Sequence, residues 1–161
     1  MSSLLTAEVS KVLKPVTGLT VIITVGNTLR CDDGVGPYIA AQLESNKSLV
    51  VIDAASNPEN FIDEISALKP QRIIIIDAAD FGGTLGEIRA VDRENIPESS
   101  ISTHLISLGV IASILKEDCG AEIKFLGIQP KDVNFGEGLH EEVREAADLI
   151  VAKIKKEFCH A

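Results

Sequence analysis

Apolar residues cluster in four short runs, each closed by turn-forming or charged residues. Residues 19–25, LTVIITV, are continuous, rich in β-branched side chains and bounded by Gly18 and Gly26, which predicts a strand buried on both faces. Residues 49–53 (LVVID) read as a second strand, 72–77 (RIIIID) as a third buried one, and 122–128 as another, ended by Pro130. Runs apolar on both faces belong to parallel sheets covered by helices on either side. Residues 85–91, LGEIRAV, alternate instead and predict an edge or hairpin strand after the Gly82-Gly83 loop.

Between these runs the apolar spacing changes to three and four. A short helix is expected within 3–13, where Leu5, Val9, Val12 and Leu13 share a side before Pro15 and Gly18. Further helices are expected over 36–45, from an Asn57 cap through Leu68, and over 104–117 after the Ser/Thr/Pro-rich segment 96–103. The last, 139–157, aligns Leu139, Val143, Ala146, Ala147, Ile150, Val151 and Ile154. Strands alternating with helices predict an α/β fold, a three-layer sandwich with a twisted, mostly parallel sheet and helices on both faces.

The length, 161 residues, suits one domain over 1–161 with a core large enough to need no staples. A formal net charge of −9 argues against nucleic acid or an anionic membrane surface, both of which need clustered Lys and Arg. Cys31, Cys119 and Cys159 are odd in number and lack C-x-x-C spacing, so neither a disulfide framework nor a thiolate zinc site is indicated. Glu8 and Lys11 interrupt the only leader-like stretch, and no apolar run approaches the ~18 residues that would span a bilayer. A cytoplasmic, reduced protein without membrane insertion is expected.

In an open parallel sheet, function gathers at the carboxyl ends of the strands. Asp33 follows the first run, Asp53 ends the second, Asp77 and Asp80 end the third, and Gln129 ends the last; His104 follows the Ser/Thr segment. The glycine turn 25–36, VGNTLRCDDGVG, stands where a phosphate loop would. It has no Lys-Ser/Thr pair, Ile39 fills the third glycine position of a dinucleotide fingerprint, and Asp32 and Asp33 would repel a pyrophosphate. If the first and third strands are neighbours, Asp33 and Asp77 share a cleft, where two carboxylates need a cation or a shared proton. A neutral imidazole from His104 would complete a site for nickel, zinc, iron or manganese. Plainer roles stay open for each residue alone: either Asp of the turn as a helix cap, Asp77 satisfied by backbone N–H groups, His104 as a structural residue. Cys31 with His104 as a nucleophilic dyad is a rival, opposed by the carboxylates beside the thiol and the lack of a nucleophile elbow. His140 and His160 are expected in solvent.

Taken together, Gly26-Asn27-Thr28-Leu29-Arg30-Cys31-Asp32-Asp33-Gly34-Val35-Gly36 resembles the signature of the hydrogenase maturation endopeptidases. Ile76-Asp77-Ala78, Ser102-Thr103-His104 and Gly127-Ile128-Gln129-Pro130 resemble that family in order and spacing, over about residues 20–155. Residues 1–18 form a longer N-terminal extension than many members have. The resemblance implies a protease that removes a C-terminal extension from the large-subunit precursor of [NiFe] hydrogenases once nickel is inserted. It implies Asp33, Asp77 and His104 as metal-binding and catalytic residues. Nickel would arrive inside the precursor, although another divalent metal would also suit the site. Alternatives are a cysteine-type hydrolase using Cys31 and His104, or a non-catalytic, nickel-dependent docking or chaperone module.

Overall fold

In a computed structural model, residues 4–96 and 107–158 are described. The strands are β1 (Thr20–Thr24), β2 (Leu49–Asp53), β3 (Arg72–Ala78), β4 (Ile88–Asp92) and β5 (Glu122–Ile128). They form one sheet in the order β2-β1-β3-β5-β4. All pairings are parallel except that of β4 with β5. The alternating segment is thus an antiparallel edge strand, and β5 lies between it and β3.

The helices are α1 (Ala7–Val12), α2 (Val35–Ala40), α3 (Ile62–Leu68), α4 (Leu108–Cys119) and α5 (Glu141–Phe158). They cover both sides of the sheet because neighbouring strand residues face opposite ways. Ile22, Ile74, Ile76, Leu126 and Ile128 meet Val9, Val12, Val35, Ile39 and the apolar stripe of α5. Val21, Ile23, Ile73, Ile75, Ile123 and Phe125 meet Ile65 of α3 and Leu108, Ile111, Ala112 and Leu115 of α4. That is the expected three-layer sandwich.

Several helix ends fall inside the expected spans. Helix α1 starts at Ala7, where the Thr6 hydroxyl caps the Val9 N–H at 3.3 Å. Helix α2 stops at Ala40, and Gln42 and Leu43 donate to carbonyls only three residues back, the tighter bonding of a helix end. Asn57 precedes a 3₁₀ turn, Pro58–Phe61, and its side chain meets Glu59 instead of capping the backbone. Helix α4 begins behind Ser107, whose hydroxyl accepts the Val110 N–H. His104, Cys159 and His160 lie outside the described residues.

Candidate active site

The chain leaves β1 for β2 on one side and later returns to place β3 on the other. The strand order therefore reverses between β1 and β3, and a crevice opens beyond their carboxyl ends. Thr24 pairs with Ile76, so the residues following β1 and those ending β3 face one another across that crevice.

From β1 the chain turns through Gly26 and the 3₁₀ turn Cys31–Gly34 directly into α2. Two glycines permit so tight a path. A Cβ on Gly26, whose φ is +147°, would lie 1.9 Å from the Asp33 carbonyl oxygen; one on Gly36 would lie 2.4 Å from the Val25 carbonyl oxygen. The glycine geometry of an anion loop is kept, while the side chains it presents are acidic.

Asp33 and Asp77 are each 1% exposed. The Asn27 N–H donates to Asp33 Oδ2 at 3.0 Å, which ties the carboxylate back onto its own turn. Asp77 differs: among the described residues neither of its oxygens has a hydrogen-bond partner. Burial first, and then the charge of Asp33, push the Asp77 carboxyl well above its ordinary range; the Ala78 backbone N–H acts the other way, short of hydrogen-bond geometry, and does not offset them. The structure thus brings together the two carboxylates that the sequence placed in one cleft. Among the described residues, no three His, Cys, Asp or Glu side chains are grouped so as to hold a metal ion.

Asp53 and Asp80 take other parts. Asp53 accepts from the Thr24 hydroxyl and the Ala55 N–H, closing the end of β2. Asp80 accepts from the Gln129 amide at 2.9 Å, while Gln129 Oε1 accepts the N–H groups of Phe81 and Gly83. Gln129 therefore clamps the loop that follows β3.

Asp32 is fully buried, and its carboxylate collects donors from the segment after β5. Oδ2 accepts the N–H groups of Lys131 (2.8 Å) and Asp132 (3.2 Å), and Oδ1 accepts that of His140 (2.8 Å). The His140 ring adds an Nδ1 contact to Oδ2 at 2.9 Å. Burial alone would raise the Asp32 carboxyl, but the donors of His140, Lys131 and Asp132 outweigh it and hold it below its ordinary value. The expectation that His140 lies free in solvent is corrected: its side chain is only 34% exposed and it is bound to Asp32. The available signal is generic: N–H groups at the start of a helix require an acceptor, but no residue pattern names Asp32 as the one that supplies it.

Cys31 adopts a left-handed φ of +48° beside Asp32. Burial, then Asp132 and Asp32, raise its thiol, so the surroundings oppose the thiolate that a nucleophilic dyad requires.

The profile of the HycI family, hydrogenase maturation protease, matches residues 35–157. The chain is 38% identical over 138 residues to the hydrogenase 3 maturation protease of Escherichia coli K12, covering 84% of this chain and 88% of that one. The crystal structure of a [NiFe] hydrogenase maturation protease HycI from Thermococcus kodakarensis superposes with a TM-score of 0.78 at 28% identity, over 92% of this chain and 99% of that one. The solution structure of the endopeptidase HycI from Escherichia coli gives 0.76 at 37% identity, over 86% and 90%. Likeness of this extent, in sequence and in fold alike, makes the chain a member of the HycI hydrogenase maturation protease family.

Proposed function

We propose that the protein is an endopeptidase that removes the C-terminal extension of a nickel-loaded [NiFe]-hydrogenase large-subunit precursor, with Asp33, Asp77 and His104 as its site. The observation that carries this reading is the Asp77 carboxylate, buried beside Asp33 with neither oxygen partnered among the described residues. Two enclosed carboxylates at a crevice are a poor arrangement for a free protein and a suitable one for receiving a cation. Oxygen donors with one imidazole suit a borderline divalent ion, and nickel is read here as part of the substrate. Asp33 and Asp77 orient the loaded precursor, and His104, in neutral form, adds the nitrogen donor. Held by these residues, the ion would supply Lewis-acid polarisation of the scissile carbonyl or the attacking water, and a carboxylate of the pair would take up and return the proton. Cys31 is assigned no part, since burial and the neighbouring Asp132 and Asp32 oppose its thiolate.

Incubation with nickel-loaded precursor, followed by intact-mass measurement, tests this reading. The precursor should lose its C-terminal peptide, and Asp33→Asn, Asp77→Asn and His104→Ala should each abolish that loss. Normal processing by Asp33→Asn or His104→Ala would overturn the assignment. Stable binding without any mass change would make the protein a docking module instead.

A further inference from the structure

The turn that carries Asp33 is fastened to the segment after β5 by an unusual number of polar contacts. Besides the donors gathered by Asp32, the Cys31 N–H donates to the Gly136 carbonyl (2.8 Å) and the Gly136 N–H to the Leu29 carbonyl (2.9 Å). The Asp32 N–H donates to the Asp132 carbonyl (2.9 Å), and Arg30 Nε to the Val133 carbonyl (3.0 Å). Of these, the Asp32 carboxylate is the contact that is charged, wholly buried and accepts at both oxygens. Cys31 lies between it and Gly136 in a left-handed conformation that side-chain-bearing residues adopt reluctantly and keep only when their surroundings enforce it.

We propose that Asp32 is a positioning residue: its carboxylate latches the 131–140 segment onto the turn, enforces the left-handed Cys31 and thereby aims Asp33 at Asp77. The latch rests on the reading of Asp33 and Asp77 given above. Without it, Cys31 relaxes toward an ordinary conformation and the turn swings Asp33 away from its partner. Glycine at position 31 would remove that tendency, because it adopts the left-handed conformation without penalty. The bonds left in place, among them Asp33 N–H to the Arg30 carbonyl (3.0 Å), Asn27 N–H to Asp33 Oδ2 and the main-chain contacts with Asp132 and Gly136, would then suffice to hold the turn.

The test measures kcat/KM for processing of nickel-loaded precursor, per folded molecule, in Asp32→Asn, Cys31→Gly, their double variant and Asp33→Asn. Asp32→Asn should lose between about tenfold and a hundredfold, the scale of a small misplacement at a reacting centre. Cys31→Gly should match the wild type, and the double variant should regain most of what Asp32→Asn lost. A merely structural Asp32 would lower the melting temperature without this recovery of rate. Wild-type processing by Asp32→Asn, or a double variant no better than Asp32→Asn, would overturn the latch. Should Asp32→Asn fail to fold, His140→Ala probes the same latch, since it removes the ring contact to Asp32 Oδ2 at 2.9 Å. Processing should fall there, by less than in Asp32→Asn, and recover when Cys31→Gly is added; an unchanged rate, or a loss without recovery, would overturn the latch. An active Asp33→Asn would sink the reading of the site and the latch with it, whereas a full rate in Asp32→Asn beside an inactive Asp33→Asn sinks the latch alone.

Discussion

Asp77 holds an ionisable group where water does not reach it and where a second carboxylate opposes its charge. Its folded carboxyl keeps a proton to higher pH than an unfolded Asp does. The stability it contributes is therefore complete below about pH 4 and is lost as pH rises through the elevated folded value. Asparagine has the same shape and cannot ionise. Asp77→Asn should accordingly be more stable than the wild type at pH 7, by on the order of 1 kcal/mol or a few degrees in Tm. Urea denaturation should show that gap closing toward pH 4, and a variant less stable than the wild type at pH 7 would contradict this account. The placement of Asp33 and Asp77 was legible in the sequence because Asp77 closes a run that reads as a buried strand and Asp33 lies in the glycine turn that follows another. The latch on Asp32 was not: its partners lie about a hundred residues away and are mainly backbone N–H groups, which leave no residue-type signal.

Between the residue and the fold stands the β1–turn–α2 unit, in which a helix sits almost on top of the strand it follows. Gly36 sets that distance. Its missing side chain faces the Val25 carbonyl at 2.4 Å, a backbone atom that cannot swing aside. Gly36→Ala should therefore lift α2 from β1, costing roughly 1–3 kcal/mol as an overpacked contact does. It should also slow precursor processing, because the same turn carries Asp33. Denaturant midpoints and processing rates measured on one preparation check both effects, and an unperturbed midpoint would count against the close approach. The elements themselves were largely readable, since parallel strands covered on both sides must be apolar throughout. The place of β4 was not. An alternating stretch signals an edge, but nothing in LGEIRAV says that it would skip past β3 and pair antiparallel with β5. The expected extension of α2 to residue 45 misled for a related reason, because periodicity continues through Leu43, which still packs against the core, after the α-helical bonding has tightened.

At the scale of the whole molecule, the reversal of strand order between β1 and β3 puts both carboxylates at one crevice. No helix among the described residues is long and apolar enough to cross a membrane. The acidic chain, at a net charge of −9, attracts cations weakly everywhere, so a general affinity for metal says little about the site. Among the described residues the crevice assembles few candidate ligands. Resident structural metals generally take a full set of protein ligands, whereas Asp33 and Asp77 stand as a pair with no third His, Cys, Asp or Glu grouped with them among the described residues. With His104 added on the proposed reading, the set would come to three protein donors, fewer than the four of a closed structural site. On the function proposed above, the precursor would complete the site with ligands that it brings along with its nickel. Enzyme treated with EDTA and then desalted should therefore process nickel-loaded precursor as fast as untreated enzyme, judged by the mass of the released peptide. Nickel-free precursor should stay intact with either preparation. A rate lost on chelation and restored only by adding metal back to the enzyme would make the ion a resident cofactor and reverse the division of ligands between the two proteins.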